Sequence, residues 1–167
     1  MKTTLNAIRK HSPCADGWQK LLAHLGKTKA DNAKLSLLTI LESNGLDDAL
    51  WCLRAVDGFD REKRLFAVWC ARQVEHLNTD PRVKTCNDTA ERFANGNATQ
   101  EDLDEARDGA WAAWAVARDG SWAAVGAAAR DGAWAAGDAA WAAWDAARDA
   151  LDAQKVEFIR MLNEGYK

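Results

Sequence analysis

The chain has 167 residues, 48% hydrophobic and 28% charged, a soluble globular balance whose length predicts one compact domain or two very small ones and excludes multi-domain machinery. A formal net charge of −3 gives no bulk attraction to nucleic acid or an anionic membrane, and no apolar run approaches the roughly 18 to 20 residues of a bilayer span. Aromatic usage is skewed, with nine Trp against four Phe and one Tyr.

Helix punctuation is dense and β-branched alternation is missing, so the sequence predicts an all-α, single compact multi-helix bundle over residues 1–167. A first helix spans about 4–11 and stops before Pro13, because the residue preceding proline is pushed out of the helical region. Helices follow over 16–25, ended by Gly26, and over 31–43, closed by Asn44-Gly45. These basic helices fill residues 1–46. Asp47 caps a helix over 47–56, Asp57-Gly58 turns, and a longer helix runs over 60–77. Asp80-Pro81 supplies a cap and a proline at the first helical position of 81–95. Thr99, with Glu101, Asp102, Asp104 and Glu105 behind it, starts a long helical region over 100–152 on an acidic first turn that suits the helix dipole.

Two repeats stand out. Ala49-Leu50-Trp51-Cys52-Leu53-Arg54-Ala55-Val56 recurs as Ala67-Val68-Trp69-Cys70-Ala71-Arg72-Gln73-Val74, and residues 47–98 form the Trp-Cys-x-Arg section. Trp and Arg three apart are neighbours on a helix; Trp51 and Trp69 are expected in the core, with each Arg reaching a helix end or a carboxylate. The second repeat is the acidic region 99–167. Ala supplies 22 of the 48 residues from Ala106 to Ala153, and six Trp fall between Trp111 and Trp144. An unbroken helix of that length would measure roughly 70 Å, so a break between about Gly120 and Gly132 is expected to fold it into a hairpin. Arg107 and Trp111, Arg118 and Trp122, and Arg130 and Trp134 stand four apart, as do Trp114 and Arg118, a spacing that suits cation–π contact. Arg107, Trp111, Trp114, Arg118, Trp122, Arg130 and Trp134 are therefore the candidate binding residues. The row is expected first as a sealed Arg/Trp ladder at a helix interface, paired with neighbouring Asp residues; the alternative is a surface able to stack a base and pair a phosphate.

Charge runs from basic to acidic: residues 1–46 carry 7 Lys/Arg against 3 Asp/Glu, 47–100 carry 8 against 9, and 101–167 carry 7 against 13. An acidic end suits a basic partner. Four cysteines, Cys14, Cys52, Cys70 and Cys86, are few for a disulfide scaffold and are expected as buried free thiols. His11-x-x-Cys14 is half a metal site that no second pair completes, so no metal and no cofactor is predicted. No phosphate loop, nucleophile elbow or activated hydroxyl is present, and no catalytic residue is assigned. The amino end lacks the apolar stretch of a secretory signal, which predicts a cytoplasmic protein.

The runs D-A-L-W-C-L-R-A-V at Asp48, D-R-E-K-R-L-F-A-V-W-C-A-R-Q-V-E-H-L at Asp60, D-P-R-V at Asp80 and E-R-F-A-N-G-N-A-T at Glu91, with the Ala/Trp/Arg tail, resemble a family of small phage and prophage proteins. More distantly they resemble the immunity-protein-5-like helical domain of toxin and immunity gene clusters. The resemblance implies a helical fold and a phage or mobile-element setting, not a reaction. The function so implied is a non-enzymatic inhibitor that binds a bacterial defence component in the host cytoplasm, an anti-defence role that includes the anti-CRISPR kind. Two alternatives stand beside it: a protein that sequesters a nucleotide signal, and an immunity-type protein that neutralises a toxin. A host or phage protein is the expected partner, a nucleotide ligand and a homo-oligomer are open, and neither a membrane nor nucleic acid is expected.

Overall fold

The computed structural model describes residues 1–75, 80–112 and 135–166. The fold is mostly helical, as an all-α bundle requires, with one very small sheet. Its helices are α1 (Leu5–Lys10), α2 (Ala15–His24), α3 (Leu37–Asn44), α4 (Leu46–Trp51), α5 (Asp60–Val74), α6 (Pro81–Ala94), α7 (residues 100–112) and α8 (Ala135–Glu164), with a 3-10 turn over Cys52–Ala55 after α4. Two short antiparallel strands, β1 (Lys2–Thr3) and β2 (Leu35–Ser36), pair Lys2 with Ser36 and Thr3 with Leu35.

Local caps place most helix ends where the sequence predicts them. Asp80 accepts from the Arg82 amide ahead of Pro81, and Thr99 and Asp102 exchange reciprocal bonds, Asp102 N to Thr99 Oγ1 at 3.1 Å and Thr99 N to Asp102 Oδ2 at 2.7 Å. That exchange is a capping box with aspartate in the glutamate position. Three predicted ends move. The helix expected over 47–56 with Asp47 as its cap starts at Leu46 behind Gly45, which makes no side-chain cap bond, and gives way after Trp51 to the 3-10 turn. The helix expected over 31–43 begins only at Leu37, because Ser36 is its cap and Asp31 is tied elsewhere: its carboxylate accepts from Lys27 at 2.6 Å and from the Ala33 amide, and its carbonyl from the Asn6 amide. The predicted end at 152 also falls short. α8 runs on to Glu164, burying Phe158 and Met161 three residues apart, and Gly165 then takes a positive φ of 70°. The expected break near 120–132 lies outside the described residues.

The chain falls into two compact units, residues 1–63 with 157–167 and residues 64–156. In the first, α1 to α4 bury Leu5, Ile8, Leu37 and Ile40, and α8 contributes Phe158 and Met161. The buried Glu157 carboxylate accepts from Arg160 Nε and Nη2 at 2.8 and 2.7 Å and from the Tyr166 hydroxyl at 2.7 Å; these donors, Arg160 foremost, hold it below the usual carboxylate range. Arg61 Nη1 donates to the Tyr166 carbonyl at 2.6 Å, closing the carboxyl end onto the same unit. The second unit buries Leu65, Phe66, Val68, Thr89 and Leu103. Arg72 of α5 reaches α6 through Asp88 at 2.9 Å and Glu91 at 2.5 Å, while Arg64 covers the Phe93 ring at 4.7 Å. Among the described residues, no buried side-chain polar atom lacks a partner.

Candidate binding face on the seventh helix

Of the candidate binding residues, the structure describes Arg107 and Trp111; Trp114, Arg118, Trp122, Arg130 and Trp134 lie outside the described residues. α7 turns Leu103 inward and leaves Glu101, Asp104, Glu105 and Asp108 exposed. Those four stand at i, i+3, i+4 and i+7 and therefore share one stripe. The stripe leads to Trp111, which is 62% exposed. Arg107 and Trp111, with Ala110 of α7 and Cys86 of α6, line an open concavity of about 450 Å³.

Within this face Arg107 pairs with Asp104 at 3.2 Å. The residual acidity exceeds what the helix end requires. Glu101 and Asp102 in the first turn meet the positive end of the dipole, but Asp108, two turns in, gains nothing from it. The i, i+4 pairs Glu101/Glu105 and Asp104/Asp108 repel one another, at roughly 0.2 to 0.5 kcal/mol each. Cys86, half-buried beneath the concavity, has its thiol pushed up by burial and pulled back in part by Arg107.

The Trp-Cys-x-Arg copies behave differently from the expected core. Trp51 and Trp69 are both half-buried rather than fully buried. Trp51 ends α4, where the chain tightens into the 3-10 turn, and carries the Arg54 guanidinium 4.4 Å from its ring centroid. Trp69 stacks beside Phe66 with centroids 6.4 Å apart. Of the four cysteines expected as buried thiols, Cys52 is buried, while Cys70 and Cys86 are half-buried and Cys14 is exposed; none forms a disulfide. Cys14, the residue just before α2, stays exposed, with its sulfur close over Gly17. Among the described residues no group of three His, Cys, Asp or Glu is placed to hold a metal ion, and no helix is long and apolar enough to cross a membrane.

One functional feature escapes the sequence reading. Gly17 falls inside the helix expected over 16–25 and inside α2, but nothing in that reading places it beside Asp48, Asn44 and Trp18. A glycine within a helix generally has a packing reason, and that was the available signal. Set against known proteins, the chain is matched by no family model, no curated protein and no solved structure.

Proposed function

We propose that the chain is a non-enzymatic phage or mobile-element protein that inhibits a bacterial defence component in the host cytoplasm by protein–protein contact, with α7 as its docking face. The observation that carries this reading is the exposed Trp111 at the end of the exposed stripe Glu101, Asp104, Glu105 and Asp108. A large, rigid aromatic flanked by charge is the composition of an interface anchor, and the stripe selects a basic partner surface and speeds its encounter. The phage-family resemblance supplies the setting. Trp111 and Arg107 also suit a base and a phosphate, which favours the nucleotide-sequestering alternative, but Asp104 and Asp108 beside them repel phosphate and Arg107 is already paired. An immunity-type role against a basic toxin would use the same face.

The test is protection of infecting phage in a host carrying a defined defence system, combined with direct binding of the full chain to that system's purified components. Trp111→Ala and the double change Asp104→Lys with Asp108→Lys should each weaken binding at least tenfold and abolish protection, with melting unchanged. Full protection by both variants would overturn the assignment of α7. Saturable binding of a nucleotide that needs Trp111, with no protein bound, would replace this reading by the sequestering one.

A further inference from the structure

The first unit holds a second, more enclosed concavity of about 120 Å³ between α1, α2, α3 and α4. Its floor is apolar, with Ile8, Leu21 and Ile40 buried, and half-buried Trp18 and Trp51 form its walls. One carboxylate, Asp48 of α4, also lines it. The backbone is built around that group. A Cβ on Gly17 would stand 2.6 Å from Asp48 Oδ2 and 3.0 Å from Cys14 Sγ, so it is the missing side chain that lets the carboxylate lie against α2. Asn44 Nδ2 donates both to Asp48 Oδ2 at 2.7 Å and to the Gly17 carbonyl at 2.8 Å, and Ser43 Oγ donates to Asn44 Oδ1 at 2.6 Å, which orients the amide. Among the described residues no cationic side chain pairs with Asp48; its hydrogen-bond partner is this neutral amide.

We propose that this cavity is a binding site for a primary alkylammonium group, with the charge on Asp48 and the methylenes against Trp18 and Trp51. Three physical facts select that class. An anion would meet Asp48 directly, while a purely apolar occupant would desolvate the carboxylate without compensation. Tryptophan faces attract cations, and Trp51 already carries Arg54 on its ring. The volume is close to that of a cavity of about 150 Å³ that admits benzene, enough for a four-carbon chain with its ammonium and too small for a nucleotide. Cys52, buried in the lining, adds no second anion, because burial first and Asp48 second push its thiol up to about 12. The ammonium comes either from a free amine or from a lysine of a partner protein. The site stands independently of the α7 face.

The probe is n-butylammonium chloride, titrated into the full-length, ¹⁵N-labelled chain, with n-butanol as its neutral counterpart. Saturable shifts of the Gly17 amide and the Trp18 indole N–H are expected, with butanol at least tenfold weaker. Asp48→Asn keeps an acceptor for Asn44 and should lose at least tenfold in butylammonium affinity with melting unchanged. Trp18→Leu should lose several-fold. Butanol binding as well as butylammonium, undiminished affinity in Asp48→Asn, or no shift at Gly17 and Trp18 would each overturn the proposal. A capped Ala-Lys-Ala tripeptide that binds more tightly than butylammonium supports the site with a partner's lysine as the source. Weaker binding of the tripeptide supports it with a free amine.

Discussion

Trp51-Cys52-Leu53-Arg54 and Trp69-Cys70-Ala71-Arg72 share their spacing and part company in everything that follows from it. In the first copy Arg54 folds back on its own neighbourhood, donating from Nε to the Trp51 carbonyl at 2.9 Å and covering the Trp51 ring. In the second, Arg72 turns away from Trp69 and crosses to Asp88 and Glu91 of α6. Spacing brings two side chains to the same helix face; what they then do depends on the element opposite. At Trp51 the α-helix tightens into the 3-10 turn, which brings the Arg54 Nε within 2.9 Å of the Trp51 carbonyl. At Trp69 the helix continues, Gln73 Nε2 donates to the Trp69 carbonyl at 3.2 Å, and carboxylates on α6 give Arg72 charged partners.

The largest effect that tests this contrast is truncation of the tryptophans. Full burial would make either Trp→Ala change cost about 3 to 5 kcal/mol, but with both rings half-buried each should cost about 2 kcal/mol. Trp69→Ala should be the more costly, since it also removes the Phe66 stack, worth roughly 0.5 to 1.5 kcal/mol. Urea denaturation of the two variants measures the difference. A Trp51→Ala cost near 5 kcal/mol would restore Trp51 to the core and erase the distinction.

The arginines come next. Arg72→Ala strips three carboxylates of one guanidinium, Glu75 at 3.4 Å as well as Asp88 and Glu91, and should cost about 1 to 2 kcal/mol, since networks exceed isolated surface pairs. Arg54→Ala removes one exposed cation–π contact, about 0.5 to 1 kcal/mol. Equal costs in the same denaturation series would mean that the crossing to α6 adds nothing. The double change Arg72→Ala with Asp88→Ala should fall short of the sum of its parts, the mark of direct coupling.

What the sequence makes legible follows the same division between local and distant causes. Asp80-Pro81, Thr99 with its acidic turn and the stop at Asn95-Gly96 act within a few residues, and the helices begin and end on them. The start of α3 was not legible, because residues 31–36 are held out of the helix by Lys27, by the Asn6 amide and by pairing of Leu35 with Thr3, 32 positions away. The carboxyl half of α8 lies beyond the Ala/Trp bias, which ends near Ala153, whereas burial continues through Phe158 and Met161. At the α7 face, the spacing of Arg107 and Trp111 identified two residues that line one concavity, but not that Asp104 would take the guanidinium. The Asp48 cavity needed Gly17 and Asp48 brought together from α2 and α4, which no pattern within either helix announces.

The smallest effect is the most discriminating, because it separates the two arginines by pH alone. Lys84 and then Arg72 hold the Asp88 carboxyl below its usual range. A carboxylate with a depressed folded value stabilises the protein above its unfolded value, and that contribution disappears as the pH falls through the folded value. The stability gap between the wild-type chain and Arg72→Ala should therefore narrow on acidification from neutrality to about pH 2.5, as Asp88 takes up its proton. The Arg54 contact involves an indole ring and a backbone carbonyl, neither of which titrates in that window, so the gap for Arg54→Ala should hold constant. Urea midpoints at the two pH values for both variants decide the matter. A gap for Arg72→Ala that survives acidification would show that its guanidinium acts by packing rather than by charge, and the two copies of the repeat would then differ only in geometry.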